Sequence, residues 1–552
     1  MIIDGRTLSL NESIETDLCI IGSGPAGLTL AHELIGTGLR ICILESGGLN
    51  KDEFAQNLNK GRLNADYYDL PLHLSRQRQA GGTANVWGTE LGRNEMGTMY
   101  APLDPIDFEK RSWIPHSGWP IKYHDLVTYF ERAQHVCGCG GFLYRAEDWE
   151  ADDSQRLRLN PQKISNSVYQ FGLRMVFTET LLGAVKKSEN IRLITHATTL
   201  SLEADENAKS VNRAFVAATQ DRRFTVKARR FVLAGGGIEN ARLLLLSNAV
   251  QKEGLGNEHD VVGRYFMDHP IVRTGTIYPT SRNIFNHLSF YDLKPLNGRK
   301  VMGKLTPTER LLRKKALLNI STFLFPRSAW HGSKAASYSF RAILEAAKRT
   351  RLPASVGKHF SRVLFNAHDV AFTAIRKVFN LQPPIPSIGR GGWSDCDKKE
   401  KRFARIEVVH ATEQAPDPEN RITFDSTRDQ YGQPRAKLTW KWREDDVRSI
   451  LQFQEILQQE IQKAGVGSLK IERDGGLPQL LGASKHHHMG TTRMSDDPRR
   501  GVVDENAKVH SLKNLFIAGS SIFPTGGYAN PTLTIIALTI KLADHLKRQT
   551  SS

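Results

Sequence analysis

Six residues near the start of the chain, Gly22-Ser23-Gly24-Pro25-Ala26-Gly27, have the spacing that holds a dinucleotide pyrophosphate. Gly22 permits a tight turn, Gly24 lets the backbone approach the phosphates, and Gly27 lets the following helix pack closely on its strand. Glu45 stands 18 residues beyond Gly27, where a carboxylate binds a ribose diol. A carboxylate there disfavours a 2′-phosphate, so FAD or NAD is expected in preference to NADP. Three adjacent histidines, His486 to His488, offer imidazole near neutral pH as a base or a metal ligand. Successive residues of an extended run point opposite ways, so the three make a poor tetrahedral set and no metal is expected. Cys137-Gly138-Cys139 lacks a second Cys or His pair at metal spacing and reads as structural or incidental thiols. Trp440 and Trp442, at period two, read as one face of a strand.

The glycine turn must sit between elements that hold it still. Asp17–Leu44 reads as strand, turn, helix and strand, and both strands are nearly continuous apolar runs, as in a parallel sheet covered on both faces. Similar strand–turn–helix patterns recur at Arg230–Ser247 and Asn514–Leu546. Arg405–Trp442 alternates like an antiparallel sheet, and Asp445–Ala464 is helical in pattern. Nucleotide-type signals at the start, middle and end predict two domains whose segments interleave. The expected fold is α/β, a Rossmann-type FAD-binding domain interleaved with an α+β substrate domain built on an antiparallel sheet. The expected boundaries are 1–100, 191–275 and 481–552 for the first domain, and 101–190 and 276–480 for the second.

The 552 residues are enough for several domains, and 40% hydrophobic with 24% charged residues excludes a wholly disordered chain. Five cysteines exclude a disulfide scaffold, and the first ten residues lack an apolar signal core. No stretch approaches the ~18 uninterrupted apolar residues of a membrane span. A cytoplasmic protein is expected. The net charge of +17 is concentrated: residues 306–390 hold fifteen basic and three acidic side chains. Helical spacing across Arg362–Phe379, and the basic residues Arg341, Lys348, Arg349 and Arg351 before it, give this segment two readings. It is a lid with a solvated basic face, or a peripheral contact with an anionic membrane or acidic partner. No motif of nucleic-acid recognition is present, and no nucleic-acid partner is expected.

Several blocks occur in a fixed order: AGGTANVWG at 80–88, SGWPI at 117–121, AGGGIENARLLL at 234–245, VGRYFMDHP at 262–270 and EQAPDPENRI at 413–422. HHMGTTRM at 487–494 and AGSSIFPTGGYANPTLTIIAL at 518–538 complete the series. Together with the glycine motif they resemble the glucose–methanol–choline (GMC) oxidoreductases, FAD-dependent alcohol oxidases and dehydrogenases. The resemblance covers most of the chain and is weakest across 306–390. It implies that His487 and Asn530 face the flavin N5 region, His487 as base and Asn530 holding the alcohol oxygen. Many members carry a second histidine at the position of Asn530, whereas sugar-type members often carry Asn. Glu413 resembles a carboxylate that bonds the second catalytic residue in some relatives; a surface glutamate is the alternative. Gly82, Asn85 and Trp87 would lie against the flavin ring, and Gly519 and Ser520 would close over the pyrophosphate. Some relatives attach FAD through a histidine just before the tryptophan; here Val86 precedes Trp87, so non-covalent FAD is expected.

The leading expectation is thus oxidation of an alcohol of a sugar, polyol or glycoside. An amphiphilic alcohol taken from a membrane surface is the alternative within catalysis. A nicotinamide dehydrogenase, or a basic membrane- or nucleic-acid-binding module with a vestigial flavin fold, would need neither C-terminal block. The electron acceptor, whether oxygen, quinone or protein, is left open by the sequence.

Overall fold

The computed structural model describes residues 1–65, 71–92, 94–150, 155–329, 343, 356–365, 386–481 and 486–551. An eight-stranded sheet gathers strands from three distant parts of the chain. Ile2–Asp4, Ile191–Thr195, Ile41–Leu44, Ser13–Ile21 and Arg223–Leu233 lie parallel in that order. The long last strand is shared: its first half pairs antiparallel with Val211–Ala217, and its end pairs parallel with Leu515–Ile517. Cys19, Ile20, Ile43, Phe231 and Val232 are fully buried, as expected of a parallel sheet with both faces covered. The helix Pro25–Glu33 follows the second strand directly. Pro25 opens it with φ already set and no N–H to leave unpaired.

The second layer is an eleven-stranded sheet of antiparallel pairs. Its centre runs Ile271–Pro279, Arg405–Thr412, Ile320–Arg327, Arg299–Pro307, Ile164–Leu173. Alternation along these strands assigns two faces. Tyr169, Phe323, Val409 and Ala411 join the core shared with the first sheet. Val168, Leu324, Ile406 and Val408 join a second core with Phe453, Leu457 and Ile461 of the helix Glu444–Lys463.

Two expectations need correction. The alternating run 405–442 does not form one sheet: Arg421–Arg428 leaves the large sheet and pairs with Pro434–Trp440, which pairs in turn with Gly61–Ala65. The basic segment is not one helical insert. Residues up to Arg327 belong to the large sheet, and Ile320–Arg327 is a fully buried strand whose Arg327 pairs with buried Glu407. Of the remainder, the helix Val356–Phe365 is described. The basic stretch 339–352, Ile343 excepted, and the part of Arg362–Phe379 beyond Phe365 lie outside the described residues. Among the described residues, no helix is long and apolar enough to cross a membrane.

Candidate active site

The glycine turn is shaped by contacts that exclude side chains. Gly22 has φ +110°, and a Cβ on it would stand 2.6 Å from the carbonyl oxygen of Ala234. Gly27 packs on the Gly22 carbonyl. Gly24 meets Gly82 backbone to backbone: a Cβ on Gly82 would come within 2.7 Å of the Gly24 Cα. Glu45 is buried at the end of its strand. Its Oε2 accepts from Ser23 N (3.1 Å) and Ser23 Oγ (2.6 Å), and its Oε1 from Gly47 N (2.9 Å). The carboxylate is thereby held against the turn.

The 80–88 block forms a short turn over residues Gly82–Val86. Asn85 Nδ2 donates to the carbonyls of Ala80 and Gly82, both at 2.9 Å, so this side chain braces the turn from inside. Arg174 Nη1 donates to the carbonyls of Asn85 (3.0 Å) and Trp87 (3.2 Å). Trp87 stands edge-on to Phe177, with ring centroids 5.6 Å apart. Val86 is exposed. At the far end of the chain, Gly519 has φ +116° and nothing within 4 Å of where its Cβ would be, a recess at a backbone turn. Ser520 Oγ donates to the His488 carbonyl (2.6 Å), which ties the two C-terminal blocks together.

The three histidines do not act as one set. His488 is buried, and burial, reinforced by His486 and Arg76, pushes its imidazole well below the ordinary histidine range. His486, His488 and Asp268 bring their polar atoms within 4.8 Å of one another. His487 meets a different partner. Its Nδ1 lies 2.9 Å from Nδ1 of His269, with the two rings nearly perpendicular. His269 is fully buried, and its Nε2 lies 3.2 Å from the Gly526 carbonyl oxygen. A carbonyl only accepts, so His269 carries its proton on Nε2 and, when neutral, presents a lone pair at Nδ1. His487 must then carry its own proton on Nδ1, which leaves Nε2 as the basic nitrogen. Asp268 Oδ1 accepts from the backbone N–H of both His269 (2.6 Å) and His487 (2.9 Å) and aligns the pair.

Asn530 is buried, and its Oδ1 has no hydrogen-bond partner among the described residues. The expected link to Glu413 is absent. Glu413 is not a surface residue either: it is fully buried, with Oε2 accepting from Arg111 Nη1 (2.9 Å) and Oε1 from Arg111 Nη2 (2.5 Å). Asn319 N adds a third bond to Oε2 (2.9 Å). A buried carboxylate needs a cation, and sequence reading could not find one 302 residues away. His269 was equally hidden: it lies within the VGRYFMDHP block, 218 residues from the histidine it meets.

With this geometry in place, sequence comparison gives the lineage. Residues 416–539, which include His487 and Asn530, match the model of the GMC oxidoreductase family. The chain carries the C-terminal domain of that family. Residues 15–54, the glycine turn through Glu45, match an FAD binding domain. Two full-length relatives are the 2-methyl-1,2-propanediol dehydrogenase of Mycolicibacterium austroafricanum, 22% identical, and the fructose dehydrogenase large subunit of Gluconobacter japonicus, 23% identical. Each covers 97% of this chain, with 96% and 98% of its own length matched. The crystal structure of pyridoxine 4-oxidase from Mesorbium loti shares the fold, with TM-score 0.54 and 16% identity over 96% of this chain and 99% of its own.

The protein is thus an FAD-dependent oxidoreductase with a GMC-type C-terminal domain. Its residues fit that cofactor: the close backbone contact of Gly24 with Gly82, the recess at Gly519 and the unanswered Asn530 Oδ1 are features that a flavin dinucleotide would use.

Proposed function

We propose that the protein oxidises an alcohol carbon of a polyol, sugar or glycoside to a carbonyl, with His487 as general base. The observation that carries this reading is the hydrogen-bond chain from Gly526 through His269 to His487, which keeps the proton off His487 Nε2. Such a nitrogen can take the hydroxyl proton as the carbon–hydrogen bond is broken. The hydride so released would be taken up by FAD, which supplies the redox chemistry when bound. The amide Nδ2 of Asn530 donates to the substrate oxygen and so orients the carbon. The diol and fructose that name the two relatives favour polyhydroxylated substrates.

In this reading the pyrophosphate lies on Gly22, Gly24, Gly27, Gly519 and Ser520, the ribose on Glu45, and the flavin ring along Gly82, Asn85 and Trp87. Attachment is non-covalent, since Val86 offers no nucleophile. The FAD-binding domain takes segments 1–100, 191–275 and 481–552, interleaved with a substrate domain on the large sheet. The test is anaerobic mixing of the yellow protein with sugars, polyols and long-chain alcohols. Bleaching of the flavin by a sugar or polyol is the expected result, and failure of every alcohol to bleach it refutes the reading.

A second reading, delivery of an amphiphilic alcohol from an anionic membrane, is favoured by one observation. Phe360 and Leu364, one turn apart on the helix Val356–Phe365, are 62% and 66% exposed. Several basic side chains near an anionic bilayer contribute roughly 1 kcal/mol each, weakened by salt. Co-sedimentation with anionic but not neutral vesicles, lost in high salt, would support it.

A further inference from the structure

A cavity of about 890 Å³ opens beside the second C-terminal block, lined among others by Asp104, Tyr123, Phe142, Tyr144, Lys304 and Tyr528. Its volume falls within the range of small-molecule sites and exceeds what a short aliphatic diol needs. Tyr528 is two residues upstream of Asn530, which places the cavity next to the segment proposed to hold the reacting oxygen.

Lys304 is the unusual group in its wall. It stands in the strand Arg299–Pro307, between strand neighbours that are also buried, and is itself only 2% exposed. Its ammonium donates to the Val168 carbonyl (3.2 Å) and lies 4.3 Å and 4.9 Å from the ring centres of Tyr169 and Tyr528. No carboxylate approaches it within 4.0 Å among the described residues, although Asp104 is near enough to oppose the burial that draws the ammonium down to about 8. An ammonium has three protons to donate, and one protein acceptor leaves two over. Asp104 complements it. Its Oδ2 accepts from Asn319 Nδ2 (2.9 Å), while Oδ1 has only the distant Tyr528 hydroxyl (3.5 Å). A buried cation this poorly partnered is a cost to folding that a methionine of similar size would not carry.

We propose that this cavity is a saccharide subsite in which Lys304 donates to, and Asp104 accepts from, neighbouring hydroxyls of a sugar whose C–H face rests on the wall of Tyr123, Phe142 and Tyr144. Polar groups in a fork recognise a diol edge, and aromatic faces cover the apolar side of a pyranose or furanose ring. The inference rests on the reading of the chain as an alcohol-oxidising enzyme and narrows its substrate from polyols, sugars and glycosides to those with a sugar ring.

The test compares the FAD-loaded protein with Lys304→Met and, as a milder change, Lys304→Gln. D-glucose, D-fructose, methyl β-D-glucoside and 1,2-propanediol are the probes. Half-saturation is read from flavin bleaching, and binding to the oxidised protein from calorimetry. Losing a charge-assisted hydrogen bond weakens binding on the order of 10–100-fold. At least one sugar should show that loss in Lys304→Met, at least tenfold more than the diol does, with a smaller loss in Lys304→Gln. The melting temperature of Lys304→Met should be unchanged or raised. Sugar affinities equal to wild type in both variants, or no calorimetric binding of any sugar to wild type, would overturn the subsite. Sugar that binds through Lys304 yet never bleaches the flavin would support the subsite and sink the proposed oxidation instead.

Discussion

The Arg111–Glu413 pair and the group formed by Asn530, Lys304 and Asp104 are both buried, yet they are finished to different degrees. Glu413 accepts three hydrogen bonds, two of them a parallel fork from Arg111, whose Nε alone lacks a partner. In the other group Asn530 Oδ1 is unanswered, Lys304 has one acceptor, and Asp104 Oδ1 has a single long contact. Burial raises the penalty for an unmade bond in both places equally. A polar cluster that closes on itself serves the scaffold, whereas one left open is completed by something the chain does not contain. The contrast lets the two kinds of buried polar residue be told apart without any prior list of roles.

Substitutions on each side should fail in different ways. His487→Ala should keep FAD but slow flavin reduction by ~10²–10⁴-fold, the usual contribution of a positioned base, as read by anaerobic stopped flow. Unchanged reduction would move the base elsewhere, to His488 first. Glu413→Ala should act on the scaffold and leave Arg111 buried without its partner, a loss of about 3–5 kcal/mol in urea unfolding of the holoprotein. A variant that melts like wild type but no longer turns over would instead give Glu413 a part in the chemistry.

His269 probes the link between the two. Leucine there removes the acceptor for His487 Nδ1–H and should slow reduction by up to ~10²-fold through misplacement of the base. Glutamine can accept from His487 and donate to Gly526, so His269→Gln should recover most of the rate. Equal rates in the two variants would show that the tautomer of His487 is set by something else. Acid or heat release of the flavin should leave its colour in the supernatant; colour retained in the pellet would show a covalent link that Val86 does not explain.

The smallest effect is on stability with pH. His410 is fully buried, bonded at Nδ1 to Thr322 Oγ1 (3.0 Å), and burial draws it down to about 3. Between about 3 and the unfolded value near 6.5, the unfolded chain takes up a proton that the folded chain refuses, so stability falls as pH falls. The slope from this group is at most roughly 1.4 kcal/mol per pH unit. Asp446, pushed up to about 7 by burial, works in the opposite direction and loses stability as pH rises from its unfolded value to its folded one. His410→Gln should therefore flatten the acid side of a melting curve recorded from about pH 6.5 to about 5, while the Asp446 contribution persists. A parallel shift with no change of slope would contradict the assignment.

Much of the cofactor side was legible in the chain, because a glycine turn, a strand end and a carboxylate are local in sequence. Gly22, Gly24, Gly27 and Glu45 stand together for that reason. What escaped was long-range or masked by composition. Arg111 and His269 find their partners across hundreds of residues, which no spacing rule reaches. Lys304 left a faint trace, one lysine inside the apolar strand run VMGKLTP at the edge of the basic segment 306–390. The same composition drew 306–327 into a supposed insert, although β-branched and aromatic residues at Ile320–Phe325 mark it as a strand.

The strand Leu515–Ile517, added in parallel beside Arg223–Leu233, has a consequence for how the protein comes into being. The backbone that completes the sheet of the glycine turn is made some 500 residues after the turn itself. At roughly 5–20 residues per second, that gap lasts on the order of 25–100 s. Throughout it the nascent chain carries an open parallel edge, the kind of surface that chaperones occupy. Completion of the sheet must then wait for residue 517, and chains arrested before residue 515 should remain protease-sensitive in excess FAD whereas chains that present this strand should not.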